Sequence, residues 1–80
     1  MDVKKEIEKL LKKVSLDPKF LEIPPTTELG DYAYPCFSLA KQYKKAPQQI
    51  AKDLAEKIKP NKYIERIVAT GPYLNFYSNK

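Results

Sequence analysis

Gly71-Pro72-Tyr73-Leu74-Asn75-Phe76-Tyr77-Ser78-Asn79-Lys80 runs to the last residue of this 80-residue chain, and its alternation decides the fold. After the Gly-Pro turn, Leu74 and Phe76 share one side of an extended strand, and Tyr73, Asn75 and Tyr77 share the other. One face is apolar and needs a second layer to cover it. The other carries two phenol rings flanking a carboxamide. The stretch therefore predicts a sheet with one core-facing side and one polar-aromatic side.

Working back from that strand, Tyr63 to Thr70 is rich in β-branched residues. Its pattern is irregular, because Ile64 and Val68 fall on one face while Ile67 and Ala69 fall on the other. This fits either a strand buried on both sides or a bulge. Before it, Ala46-Pro47 opens a helix whose apolar residues Ile50, Ala51, Leu54, Ala55 and Ile58 recur at helical spacing; Pro60-Asn61 ends it. A second helix is expected from Pro35, with Cys36, Phe37, Leu39, Ala40 and Tyr43 on its apolar side. Gly30-Asp31 marks a turn. Phe20-Leu21-Glu22-Ile23 reads as a short strand ended by Pro24-Pro25, and Thr26 to Gly30 as a loop or brief second strand. Asp2 to Val14 is an amphipathic helix with Val3, Ile7, Leu10, Leu11 and Val14 as its core-facing stripe. Asp2 is placed to cap it, and Asp17-Pro18 stops it. Helix, short strand, two helices and two strands amount to an α+β fold in two layers, a small sheet with helices on one face. The polar side of the last strand is then the uncovered face.

Length and composition bound the function. The expectation is one small domain over residues 1–80. The single cysteine, Cys36, rules out an internal disulfide and points to a reducing compartment, the cytoplasm. No apolar run suits a transmembrane helix, and the charged start is not an export signal. The net charge of +5 is uneven: residues 1–35 balance at −1 and residues 36–80 at +6. That asymmetry fits a polyanionic partner, and it also fits a lysine-rich solvated surface.

Catalytic equipment is lacking. The chain has no histidine, hence no histidine base and no histidine metal ligand, and one cysteine cannot form a thiolate metal site. Two distant glycines cannot form a phosphate-binding loop. Glu28 and Asp31 read as turn and cap residues in preference to an acid–base pair. No catalytic residue, metal or cofactor is expected, and the chain reads as a binding module. Tyr73, Asn75 and Tyr77 suit ordinary sheet packing, and as a trio they also suit RNA recognition. A base stacked on an aromatic ring contributes about 1–3 kcal/mol. A carboxamide in two-point contact with adenine adds about 1–3 kcal/mol of discrimination. Unpaired RNA bases are read in this way. Lys41, Lys44, Lys45 and Lys80 are candidates for phosphate contacts that position the RNA without specifying it.

Three stretches together carry a family resemblance. Leu29-Gly30-Asp31-Tyr32-Ala33-Tyr34-Pro35-Cys36-Phe37-Ser38-Leu39-Ala40-Lys41 resembles the Gly-Asp-aromatic motif of the N-terminal additional domain of arginyl-tRNA synthetases. Ala46-Pro47-Gln48-Gln49-Ile50-Ala51 resembles that domain's Asn-Pro-x-x-Ile-Ala helix start, and Ala69 to Phe76 resembles its closing Gly-Pro strand. They occur in the family's order and cover essentially the whole chain.

The resemblance implies an α-β-β-α-β-β domain in two layers. Such a domain is appended to a class I synthetase and contacts the D-loop at the outer corner of arginine tRNA during aminoacylation. It implies that an unpaired D-loop base is met by Tyr73 and Asn75, with a third contact at Thr70; Tyr77 is added by the alternation alone. The expected partners are arginine tRNA and the catalytic domain of the parent synthetase, with no membrane. Two departures, Tyr34-Pro35 and Ala46 where many members have Asn, fall at helix starts and concern capping. The catalytic-core motifs of class I synthetases are absent, so the expectation is an excised domain without enzyme activity of its own. Arginine, ATP and anticodon recognition then belong to the remainder of an ATP-dependent arginine–tRNA ligase. The competing reading is a protein-interaction module whose sheet face docks a protein and touches no RNA.

Overall fold

The structure, a computed structural model, describes residues 3–78. Helix α1 spans Val3–Lys13, and its stripe buries Ile7, Leu10 and Leu11, with Val3 and Val14 packed at the margin. The capping role expected of Asp2 lies outside the described residues. Past α1 the backbone turns through Ser15 at φ 61° and drops Leu16 into the core. The apolar helix face is thus closed before Asp17-Pro18 is reached.

Asp17 caps a 3-10 turn at Pro18–Phe20, its Oδ1 accepting from the Lys19 amide at 3.0 Å. The strand expected at Phe20–Ile23 is reduced to one bridge, Glu22 to Ala33, with both amides donating across at 2.8 Å. The double proline that follows has no amide hydrogen to extend the ladder. A second 3-10 turn covers Thr27–Leu29, the stretch expected to be loop or strand.

Strand β1 is Tyr32–Pro35, so Pro35 is not the first helical residue. It ends an edge strand opposite Tyr73, where a missing amide hydrogen costs no ladder bond. Helix α2, Phe37–Tyr43, starts after Cys36, whose amide donates to the Pro72 carbonyl at 3.0 Å. Leu39 of α2 is buried, but Phe37 and Tyr43 of its expected apolar side are exposed. Helix α3, Pro47–Lys57, begins with Pro in its first turn and buries Ile50, Ala51 and Leu54, as its spacing predicts.

Strands β2, Ile64–Thr70, and β3, Tyr73–Ser78, form a hairpin through Gly71 at φ 55°, and the sheet order is β1-β3-β2, all antiparallel. A register shift between Ile64 and Arg66 resolves the irregular pattern of β2: it is a bulge, and it lets Ile64 and Ile67 both enter the core. Helices α1 and α3 pack against the sheet and α2 packs against α3, around a core that includes Tyr34, Leu74, Phe76 and Ile67. The architecture is α+β in two layers. Among the described residues no helix is long and apolar enough to cross a membrane.

Gly30 locks the Gly-Asp motif to the central strand. Its φ is 96°, and a Cβ there would lie 2.7 Å from the Phe76 carbonyl oxygen. The next amide, Asp31, donates to that same oxygen at 2.9 Å. The Asp31 carboxylate accepts from the Ser78 amide and hydroxyl at 2.8 and 2.7 Å. Asp31 therefore fastens the end of β3.

Candidate nucleic-acid interface

The register places three rows of side chains on the sheet face away from the helices. Thr70 stands opposite Tyr73, Val68 and Ala33 flank Asn75, and Arg66 stands opposite Tyr77. The alternation thus assigns Tyr73, Asn75 and Tyr77 to one face, as the sequence predicts. It does not reveal that this face is partly roofed. Residues Glu22 to Leu29 cross over it, and a cavity of about 260 Å³ lies between roof and sheet. The sheet contributes Ala33, Thr70, Tyr73 and Asn75 to its lining, Glu22 joins them from its bridge to Ala33 at the sheet edge, and Ile23, Pro24, Pro25 and Leu29 form the roof. That volume lies below the roughly 300–1,000 Å³ of pockets for drug-sized ligands and suits one flat heterocycle.

Asn75 is the unusual member. It is 1% exposed, so its carboxamide sits at the bottom of a pocket and not on an open surface. Its Nδ2 is fully buried and has no hydrogen-bond partner. A donor left in that state costs about 1–3 kcal/mol of folding free energy. Tyr73, at the cavity mouth, is 36% exposed. Its ring meets that of Phe37 edge-on, with centroids 5.7 Å apart and planes at 86°, the arrangement favoured by ring quadrupoles. Phe37 is itself 55% exposed, so two rings form a corner at the entrance.

Tyr77 is engaged within the fold. Its hydroxyl donates to the Glu28 carbonyl at 2.7 Å and ties the roof to the sheet. The Arg66 guanidinium carbon lies 4.0 Å from its ring centroid, a cation–π stack. The lysine candidates belong elsewhere. Lys41 is in the last turn of α2 and Lys44 is its left-handed C-cap. Lys45 pairs with Asp53 of α3 at 3.1 Å. Donors from Gln49 and Lys45 hold the Asp53 carboxyl below its usual range. Lys45 lines a groove with Val14, Leu54 and Lys57 among the helices, and the sheet cavity includes none of these lysines. Lys80 lies outside the described residues. Among the described residues no group of three acidic, cysteine or histidine side chains is placed to hold a metal.

Sequence reasoning overlooked Phe37, Arg66 and the roof. In the sequence Phe37 reads as part of the apolar side of a helix. Arg66 was visible as the only arginine of the chain, on the polar phase of β2.

The chain is similar to known proteins. Residues 1–78 match the family model described as arginyl tRNA synthetase N terminal domain. An arginine–tRNA ligase of Clostridium botulinum strain Hall is 54% identical over 67 residues, covering 84% of this chain and 12% of that protein. One from Halothermothrix orenii is 55% identical over 60 residues, covering 75% and 11%. The solved arginyl-tRNA synthetase of Thermus thermophilus superposes with a TM-score of 0.72 at 33% identity, over 96% of this chain and 13% of its own. The chain spans roughly an eighth of the length of these proteins. It belongs to the arginyl-tRNA synthetase N-terminal domain family.

Proposed function

We propose that this domain docks the D-loop of arginine tRNA and takes one unpaired base into the cavity between roof and sheet. The observation that carries this reading is the buried, unpartnered Nδ2 of Asn75, a residue that lines the cavity. It is a donor without an acceptor, and a ring nitrogen or carbonyl of a base supplies one. Tyr73 gives the entering base a ring to stack on, and Thr70 adds a hydroxyl to the same lining. The lysine excess of residues 36–80 attracts the polyanion at long range, including Lys41 and Lys44 on the helical layer.

The longer proteins to which the chain is similar are arginine–tRNA ligases. In this reading the domain is the tRNA-contacting module of such an ATP-dependent cytoplasmic enzyme. Arginine activation and anticodon contacts belong to the rest of it, and the domain itself uses no cofactor.

The test is a titration of the domain with arginine tRNA and with a D-loop-substituted transcript. Tyr73→Ala and Asn75→Ala each weaken binding of arginine tRNA by roughly tenfold or more, about 1.4 kcal/mol. Both keep the wild-type circular dichroism spectrum. Wild-type binding by both variants at low salt, or indifference of the native domain to the substituted loop, contradicts the reading and favours a protein-docking face.

A further inference from the structure

We propose that Arg66 is the phosphate anchor of this interface, holding a backbone phosphodiester of the nucleotide next to the captured base. This rests on the RNA-binding reading above and adds a site to it. The sheet register fixes its position: Arg66 stands on the same face as Asn75, one row along, with Val68 opposite Asn75 and Arg66 opposite Tyr77. Two residues along a strand is about 7 Å, within one nucleotide's reach of the cavity.

Three features prepare the side chain for an anion. First, Arg66 is exposed and takes no part in the ion pairs Lys9–Glu6, Lys19–Asp17 and Lys45–Asp53. Its charge is uncommitted. Second, its guanidinium lies 4.0 Å over the Tyr77 ring. A guanidinium held over an aromatic face is steadied by the ring's negative face, and its flat two-donor fork matches a phosphodiester. Third, the platform is itself fixed. The Tyr77 hydroxyl donates to the Glu28 carbonyl at 2.7 Å, so little side-chain freedom remains to be lost on binding. The lysines of the helical layer lack this arrangement: Lys41 and Lys44 belong to α2 and its C-cap, not to the sheet face that carries Asn75, and Lys45 is paired with Asp53.

The chemistry separates this role from base reading. A phosphate contact weakens binding alike for every loop sequence and lowers the salt dependence, whereas a base contact changes discrimination. The experiment measures the affinity of the wild-type chain, Arg66→Gln and Arg66→Lys for the arginine tRNA transcript and its D-loop-substituted counterpart across a salt series. Expected for Arg66→Gln is roughly tenfold weaker binding at low salt. The log–log salt slope falls by about 0.7, one contact to unpaired RNA, and the ratio between the two transcripts stays at the wild-type value. Arg66→Lys keeps the slope and recovers part of the affinity. An unchanged slope in Arg66→Gln overturns the assignment, as does a changed ratio with the slope intact, which makes Arg66 a support for the roof. A wild-type chain that shows no transcript preference refutes base capture alone, and the slope still decides Arg66. A wild-type chain that binds neither transcript refutes both.

Discussion

Asn75 carries opposite demands at a single position. Its neighbours on the strand, Leu74 and Phe76, are fully buried and apolar, and the floor around it includes Ala33 at 5% exposure. An amide with an unpaired Nδ2 is a poor choice there for stability. A leucine of similar size removes the orphaned donor. Asn75→Leu is therefore expected to raise unfolding stability by about 1–2 kcal/mol, read from urea denaturation, while binding to arginine tRNA falls. Loss of stability of that size would mean that the amide supports the fold, and the case for a binding role would lose its footing. The alternation of β3 made the facing of Asn75 legible. Its burial was not legible, because the roof comes from residues about 50 positions earlier, and a strand pattern carries no information about a distant loop.

Among the elements, helices α1 and α3 and the alternating strand β3 were legible in the sequence, and the Phe20–Pro25 segment and the Pro35 junction were not. Pro35 suits both a helix start and an edge strand, and only its pairing with Tyr73 on the sheet edge decides between them. The bulge of β2 was visible as a phase change between Ile64 and Ile67, since two buried positions three apart cannot share a face of a regular strand. The β1–α2 junction also carries a pH response. Burial raises the Tyr34 phenol from 10.0 to about 12, helped by the nearby Asp17 carboxylate. Burial raises the Cys36 thiol from 9.0 to about 11. The folded chain keeps protons that the unfolded chain releases, so this contribution is whole below the ordinary values and is lost as pH rises toward the folded ones. Stability should drop between about pH 9 and about pH 12 in urea titrations. Tyr34→Phe should start lower, because the phenol donates to the Asp17 carbonyl at 3.0 Å, and should show a shallower drop. An equal drop in both proteins would place the alkaline sensitivity elsewhere.

At the scale of the molecule, the two layers divide the work. The helical layer supplies the apolar cover for Leu74 and Phe76, and it carries the Lys41, Lys44 and Lys45 charges. The opposite face holds the roofed cavity, its aromatic corner and Arg66. The Gly-Asp motif connects them, since Gly30 and Asp31 fasten the end of the roof to β3. The central claim is that a D-loop base enters the cavity and pairs with Asn75. The most direct measurement is the side-chain amide resonance of Asn75 in a nitrogen-15 correlation spectrum during titration with arginine tRNA. Base capture predicts a large shift of that resonance with arginine tRNA and none with the D-loop-substituted transcript. Binding of both transcripts with the Asn75 side-chain amide unmoved would contradict it.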